Sequence, residues 1–180
     1  MAESRFGEIS WYKPEIRAIF DIYHTKISRS TRQLLKKNIY SFNIDRNFRE
    51  VILKCSERET TWINDDIIDN YCLLQQMGFA HSVEVYRGNE LAGGLYGVKI
   101  AGAFFGESMF NSEPNTAKLA FAVLLEILKY NYFILLDSQF LNKFTEQLGA
   151  YEVDDELYMF ILEHALRREC SFEMPENFKI

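Results

Sequence analysis

Cysteine and proline are scarce in this chain, with three of each in 180 residues. Cys55, Cys72 and Cys170 are odd in number, widely spaced and free of any CxxC pair, which excludes a disulfide framework and a cysteine metal knuckle. Unpaired structural thiols fit a reducing compartment, so a cytoplasmic location is expected. No apolar run approaches the roughly 20 residues that span a bilayer, and the first 30 residues lack a signal-peptide pattern. Proline and glycine are too sparse to mark an interdomain linker, and no repeat is present. A single domain over 1–170 is therefore expected, with 171–180 as a tail prone to disorder.

Excess positive charge is lacking too. A net charge of −6 argues against a general nucleic-acid binder. Yet between Lys26 and Tyr40 stand five bases (Lys26, Arg29, Arg32, Lys36, Lys37) and no acid, while Glu146 to the end holds nine acids against three bases. Screening confines such fields to about 8–10 Å, so a local basic patch can hold a phosphate backbone on an acidic protein. The plainer alternative is a solvated helix face.

What is present is a chain 48% hydrophobic and 15% aromatic, enough for a substantial core. Helices are predicted over about 28–37 (Ser28 or Ser30 as N-cap), 47–59 (Asn47 and Glu50 as a capping box), 65–77, 115–130, a segment ending at Leu148, and 154–168. Strands are predicted at 40–44, at 132–139, and as a meander within 81–110 that turns at Gly88-Asn89. The expected class is α+β, a mixed sheet with helices on both faces.

Much chemistry is excluded by absence. There is no GxxxxGK[ST] loop for ATP, no GxSxG elbow, no HExxH or other ligand spacing among His24, His81 and His164, and no cysteine in a nucleophile motif. "GGLYG" (93–97) lies inside a strand, not at a strand-to-helix turn, so it is no phosphate cradle. Two polar points remain at strand ends. Glu107 is a lone carboxylate inside "AFFGESMF", and an unpartnered buried carboxylate costs several kcal/mol, roughly. Asp137 and Gln139 follow the apolar run "YFILL", two apart and so expected on one face. Ligands gather at such strand ends. The competing readings are a helix N-cap for Asp137 and a carboxylate receiving turn amides for Glu107.

The motifs "WYKPEIRAIF", "ISRS", "TWI", "AHSVEVYRGNELAGGLYGV", "FFGESMF", "NTAKLA", "LLDSQ" and "LGA" occur together and in order from about Ile9 to Leu162. In this the chain resembles the leucyl/phenylalanyl-tRNA–protein transferases. The resemblance implies transfer of Leu, Phe or Met from charged tRNA to the α-amine of proteins beginning with Arg or Lys, marking them for N-degron degradation. It also implies an acetyltransferase-like fold of the acyl-CoA N-acyltransferase type, no cofactor and no metal. Neither a membrane nor DNA is an expected partner. The absences above then make sense. The aminoacyl ester is already activated, the nucleophile is the acceptor's own amine, and alignment alone can supply about 7–11 kcal/mol.

By the same resemblance Asp137 and Gln139 are catalytic: Asp137 would bind the Gln139 side-chain amide, whose carbonyl would orient the amine. Asp137 through water, or the departing ribose oxygen, would take the proton. Glu107 would attract the basic residue of the acceptor. Leu95, Phe104, Met109, Phe121, Leu124, Leu128 and Leu136 would line the aminoacyl pocket, Trp62 would stack the terminal adenine, and Arg29, Arg32, Lys36 and Lys37 would bind tRNA. Against the family pattern, most of the usual N-terminal domain is expected to be missing before "WYKP", either because the form is shortened or because part of the natural chain lies outside this sequence. Ser138 stands where many members have Cys, and Lys13 and Ile16 where Ser and Pro are common. Two alternatives stay open: a tRNA-binding or adaptor module without catalysis, and an acyl-CoA N-acyltransferase, which lacks an RxxGxG-like pyrophosphate loop here.

Overall fold

A computed structural model describes residues 13–58 and 61–175. In chain order the elements are β1 (Ile16–Phe20), α1 (Arg29–Lys36), β2 (Ser41–Ile44), α2 (Phe48–Ser56), α3 (Asp65–Gln76), β3 (Ala80–Arg87), β4 (Glu90–Ile100), β5 (Ala103–Asn111), α4 (Thr116–Tyr130), β6 (Leu135–Gln139), α5 (Lys143–Leu148), β7 (Tyr151–Asp154) and α6 (Asp155–Leu166). The strands form one mixed sheet in the order β2-β3-β4-β5-β6-β1-β7. All six expected helices are present, but β1 and β7 were not expected, and the strand predicted over 132–139 begins only at Leu135. Among the described residues no helix is long and apolar enough to cross a membrane.

Local chemistry explains most boundaries. Ser28, Asn64, Asn142 and Asp154 each cap a helix by accepting a first-turn backbone N–H. The capping box expected at Asn47 does not form. Its backbone N–H donates instead to Glu84 Oε1 at 2.7 Å, and its amide to the Tyr86 hydroxyl at 3.0 Å. The β3–β4 hairpin turns at Gly88-Asn89, with Gly88 at φ +60°.

Helix α4 covers one face, where Phe121, Leu124 and Leu128 pack against Val83, Val85, Leu95 and Phe104. Helices α2 and α3 cover the other face over Tyr86, Tyr96 and Phe110, and α6 covers Ala103 and Leu135. Of the tail expected over 171–180, residues 171–175 are described, and they pack against the domain. Phe172 is buried and stacks on Phe104 with centroids 5.3 Å apart, and the Asn131 amide donates to the Glu173 carbonyl. Residues 176–180 lie outside those described.

Two irregularities position the site. First, β5 carries one extra residue: Gly97 pairs with Gly106 and Tyr96 with Ser108, leaving Glu107 between them. This is a β-bulge, which re-aims side chains and often borders functional sites. It also returns Met109 to the α4 face opposite Leu95. Gly97 permits the close approach here, because a Cβ would sit 2.3 Å from the Phe105 carbonyl oxygen. Second, β5 and β6 are the one parallel pair among the described residues, joined through α4, and they pair only from Ala103↔Leu135 to Phe105↔Asp137. Beyond that the strands part.

Candidate active site

A cavity of about 360 Å³ opens where β5 and β6 part. Such a volume suits a small guest. Of the seven expected pocket residues, Leu95, Met109, Phe121, Leu124 and Leu136 line it. Phe104 and Leu128 do not. Both are fully buried in the layer behind, because Phe104 packs beneath Gly97 and Leu128 lies a turn deeper in α4. Phe20, Tyr96, Arg58, Ser138, Asn142 and Phe144 are also on the wall, as is Asp137. The first six come from strands, loops and the start of α5, whose approach no local pattern announces.

Glu107 faces the cavity from its bulge. Burial pushes its carboxyl group above the ordinary range and the nearby Asp137 charge acts the same way, while hydrogen bonds from Tyr71 and Gln139 partly oppose this. Gln139 Nε2 donates to Glu107 Oε2 at 3.2 Å and to the Gly106 carbonyl at 3.4 Å. Tyr71, on α3, was missed by sequence reasoning, since it reads as one more apolar position on a helix.

Asp137 is fully buried. Arg17 on β1 donates to its Oδ2, the Tyr158 hydroxyl on α6 donates to the same oxygen at 2.7 Å, and the Gln139 backbone N–H donates to Oδ1 at 2.6 Å. The expected contact to the Gln139 side-chain amide is therefore replaced by one to its backbone. The Gln139 amide reaches Glu107, and Gln139 is not among the cavity-lining residues. Residues 137 and 139 do not present one strand face, because Gln139 sits at φ +67°, in the left-handed region. Arg17 was likewise missed: a base in "PEIRAIF" gives no sign of a carboxylate 120 positions away.

Trp62 is partly buried against the cluster under α2 and α3 and is not brought to the cavity wall. Arg29, Arg32, Lys36 and Lys37 are exposed along α1, and none forms an ion pair among the described residues. The Cys55 thiol is buried and pushed up to about 12, so it is no nucleophile at neutral pH.

The family model described as leucyl/phenylalanyl-tRNA protein transferase matches residues 19–163. The chain belongs to that family. Curated relatives called leucyl/phenylalanyl-tRNA–protein transferase include one from Prosthecochloris aestuarii, 44% identical over 96% of this chain and 91% of its own length. Those from Rubrobacter xylanophilus and Nostoc punctiforme are each 40% identical, covering 92% and 95% of this chain and 87% and 90% of their own. The protein is an aminoacyltransferase that moves an aminoacyl group from tRNA to protein. At the parting of β5 and β6, residues of two segments, "FFGESMF" and "LLDSQ", come together: the bulged Glu107 is in contact with the Asp137–Gln139 pair.

Proposed function

We propose that this transferase moves Leu, Phe or Met from charged tRNA to the α-amine of proteins that begin with Arg or Lys, marking them for N-degron degradation in the cytoplasm. The observation that carries this reading is a cavity of about 360 Å³ with an apolar side formed by Phe20, Leu95, Met109, Phe121, Leu124 and Leu136 and a polar side that holds two carboxylates, Glu107 and Asp137. The apolar wall, with unbranched Met109 and aromatic Phe121, suits Leu, Phe or Met, whereas a guest branched at Cβ would crowd the entrance. Glu107 holds the acceptor's basic first residue by a charge-assisted hydrogen bond and repels an acidic one.

In the reaction, the acceptor amine attacks the carbonyl carbon of the aminoacyl ester. A C–N bond forms and the bond to the tRNA ribose oxygen breaks. Both Asp137 oxygens already accept hydrogen bonds, so the departing ribose oxygen is the better destination for the amine's proton. Helix α1 supplies phosphate contacts to the tRNA acceptor stem. One domain, of acetyltransferase-like build, carries all of this, and the parallel β5–α4–β6 unit supports that assignment.

The test is direct. Leu-tRNA plus a peptide starting with Arg should yield leucyl-peptide without ATP, whereas acyl-CoA esters should yield nothing. Tight tRNA binding without transfer would leave an adaptor, and transfer from CoA esters would replace the donor.

A further inference from the structure

Five side chains form one continuous run of contacts from the surface helix α6 to the cavity. The Tyr158 hydroxyl and the Arg17 guanidinium converge on Asp137 Oδ2. The Arg17 guanidinium carbon also lies 4.9 Å from the Tyr158 ring centroid, so each fixes the other. Asp137 Oδ1 then accepts the Gln139 backbone N–H, two residues on, in the manner of an Asx turn. That contact compensates a backbone at φ +67°, which a residue with a Cβ adopts only at some cost. The turn carries the Gln139 amide to Glu107 Oε2 and the Gly106 carbonyl.

Resting on the acceptor role of Glu107 given above, we infer that Arg17 and Tyr158 are positioning residues whose effect reaches the acceptor amine through Asp137, Gln139 and Glu107. Neither Arg17 nor Tyr158 lines the cavity. Their contribution is to hold Asp137 with its second oxygen free for the turn, so that Gln139 orients the Glu107 carboxylate towards the bound acceptor. A buried ion pair of this kind is weak evidence for stability, which favours an orienting role. It also explains why β1 lies inside the sheet between β6 and β7: the strand delivers the guanidinium to Asp137.

The experiment is a double-mutant cycle of Tyr158→Phe with Glu107→Gln. It reads kcat/KM for leucyl transfer to a peptide starting with Arg, KM for Leu-tRNA, and the melting midpoint. Tyr158→Phe keeps the ring beneath Arg17 and removes one hydrogen bond to a charged group, so transfer to the Arg peptide should fall about 10-fold. KM for Leu-tRNA and transfer to a peptide starting with Ala should stay within about 2-fold. With Glu107→Gln already in place, Tyr158→Phe should cost less than about 2-fold. Arg17→Lys, which keeps the charge but loses the fork, should show the same coupling. Additive losses, or equal losses for Arg and Ala peptides, would overturn the inference while leaving the transferase reading intact. A wild-type protein that transfers nothing would instead overturn the reading on which it rests.

Discussion

Glu107 and Glu84 are both buried or half-buried carboxylates on the sheet, and their surroundings separate structure from function. Glu84 has no exposed surface, and its oxygens accept from the Asn47 backbone, the Ser82 hydroxyl and the Tyr86 hydroxyl. It is satisfied within the fold. Glu107 stands on a cavity wall with its proton affinity raised chiefly by burial. Of these two, only Glu107 was legible in the sequence, because an aromatic run isolates it; Glu84 sits in "SVEVY" and passes for the outward half of an alternating strand. The raised carboxyl has a consequence for stability. A folded state that binds the proton more tightly than the unfolded chain keeps that contribution below the ordinary carboxylate range. It loses the contribution as pH climbs through the raised value. Glu107→Gln does not titrate, so its stability relative to wild type should improve between about pH 4 and about pH 8. Urea unfolding at both pH values reads this, and an unchanged difference would place Glu107 in ordinary solvent.

At the scale of elements, the helices were legible in part from local chemistry: Ser28 and Asp154 mark starts and Gly149 at φ +103° closes α5, whereas the caps Asn64 and Asn142 were not read from the sequence and the box read at Asn47 does not form. Strands β1 and β7, five and four residues long, were not. Length is not the reason, since β2 is also four residues long and was expected; β1 and β7 form by pairing with residues far along the chain. The bulge at Glu107 was hidden for the same reason, since an extra residue on β5 is defined only against β4. Helix α1 is a case where local reading and exposure agree. Its four exposed bases are free of ion pairs among the described residues, so their field is available to a polyanion. Replacing Arg29, Arg32, Lys36 and Lys37 together by Glu should weaken tRNA binding and reduce the slope of log K against log salt by about 0.7–0.9 per lost phosphate contact. A variant whose affinity and salt slope match wild type would return α1 to a solvated face.

On the scale of the whole molecule, the α+β class and the two-sided cover followed from pattern, whereas the strand order did not. Nothing local states that the first strand inserts between β6 and β7, or that the parallel pair parts after Phe105↔Asp137. Those two facts create the cavity and bring Arg17 to Asp137. Segments far apart in the chain, with Arg17 in "PEIRAIF", Glu107 in "FFGESMF" and Asp137 in "LLDSQ", are linked there because the sheet folds them together. The acceptor end of this arrangement is the part most open to measurement: kcat/KM for leucyl transfer to peptides differing only in a first residue of Arg, Lys, Ala or Glu, for wild type and Glu107→Gln in parallel. Wild type should favour Arg and Lys, and Glu107→Gln should lower those two rates about 10- to 150-fold with little change for Ala and an unreduced melting midpoint. A uniform loss across all four peptides, with a lowered midpoint, would contradict the assignment and make Glu107 part of the scaffold.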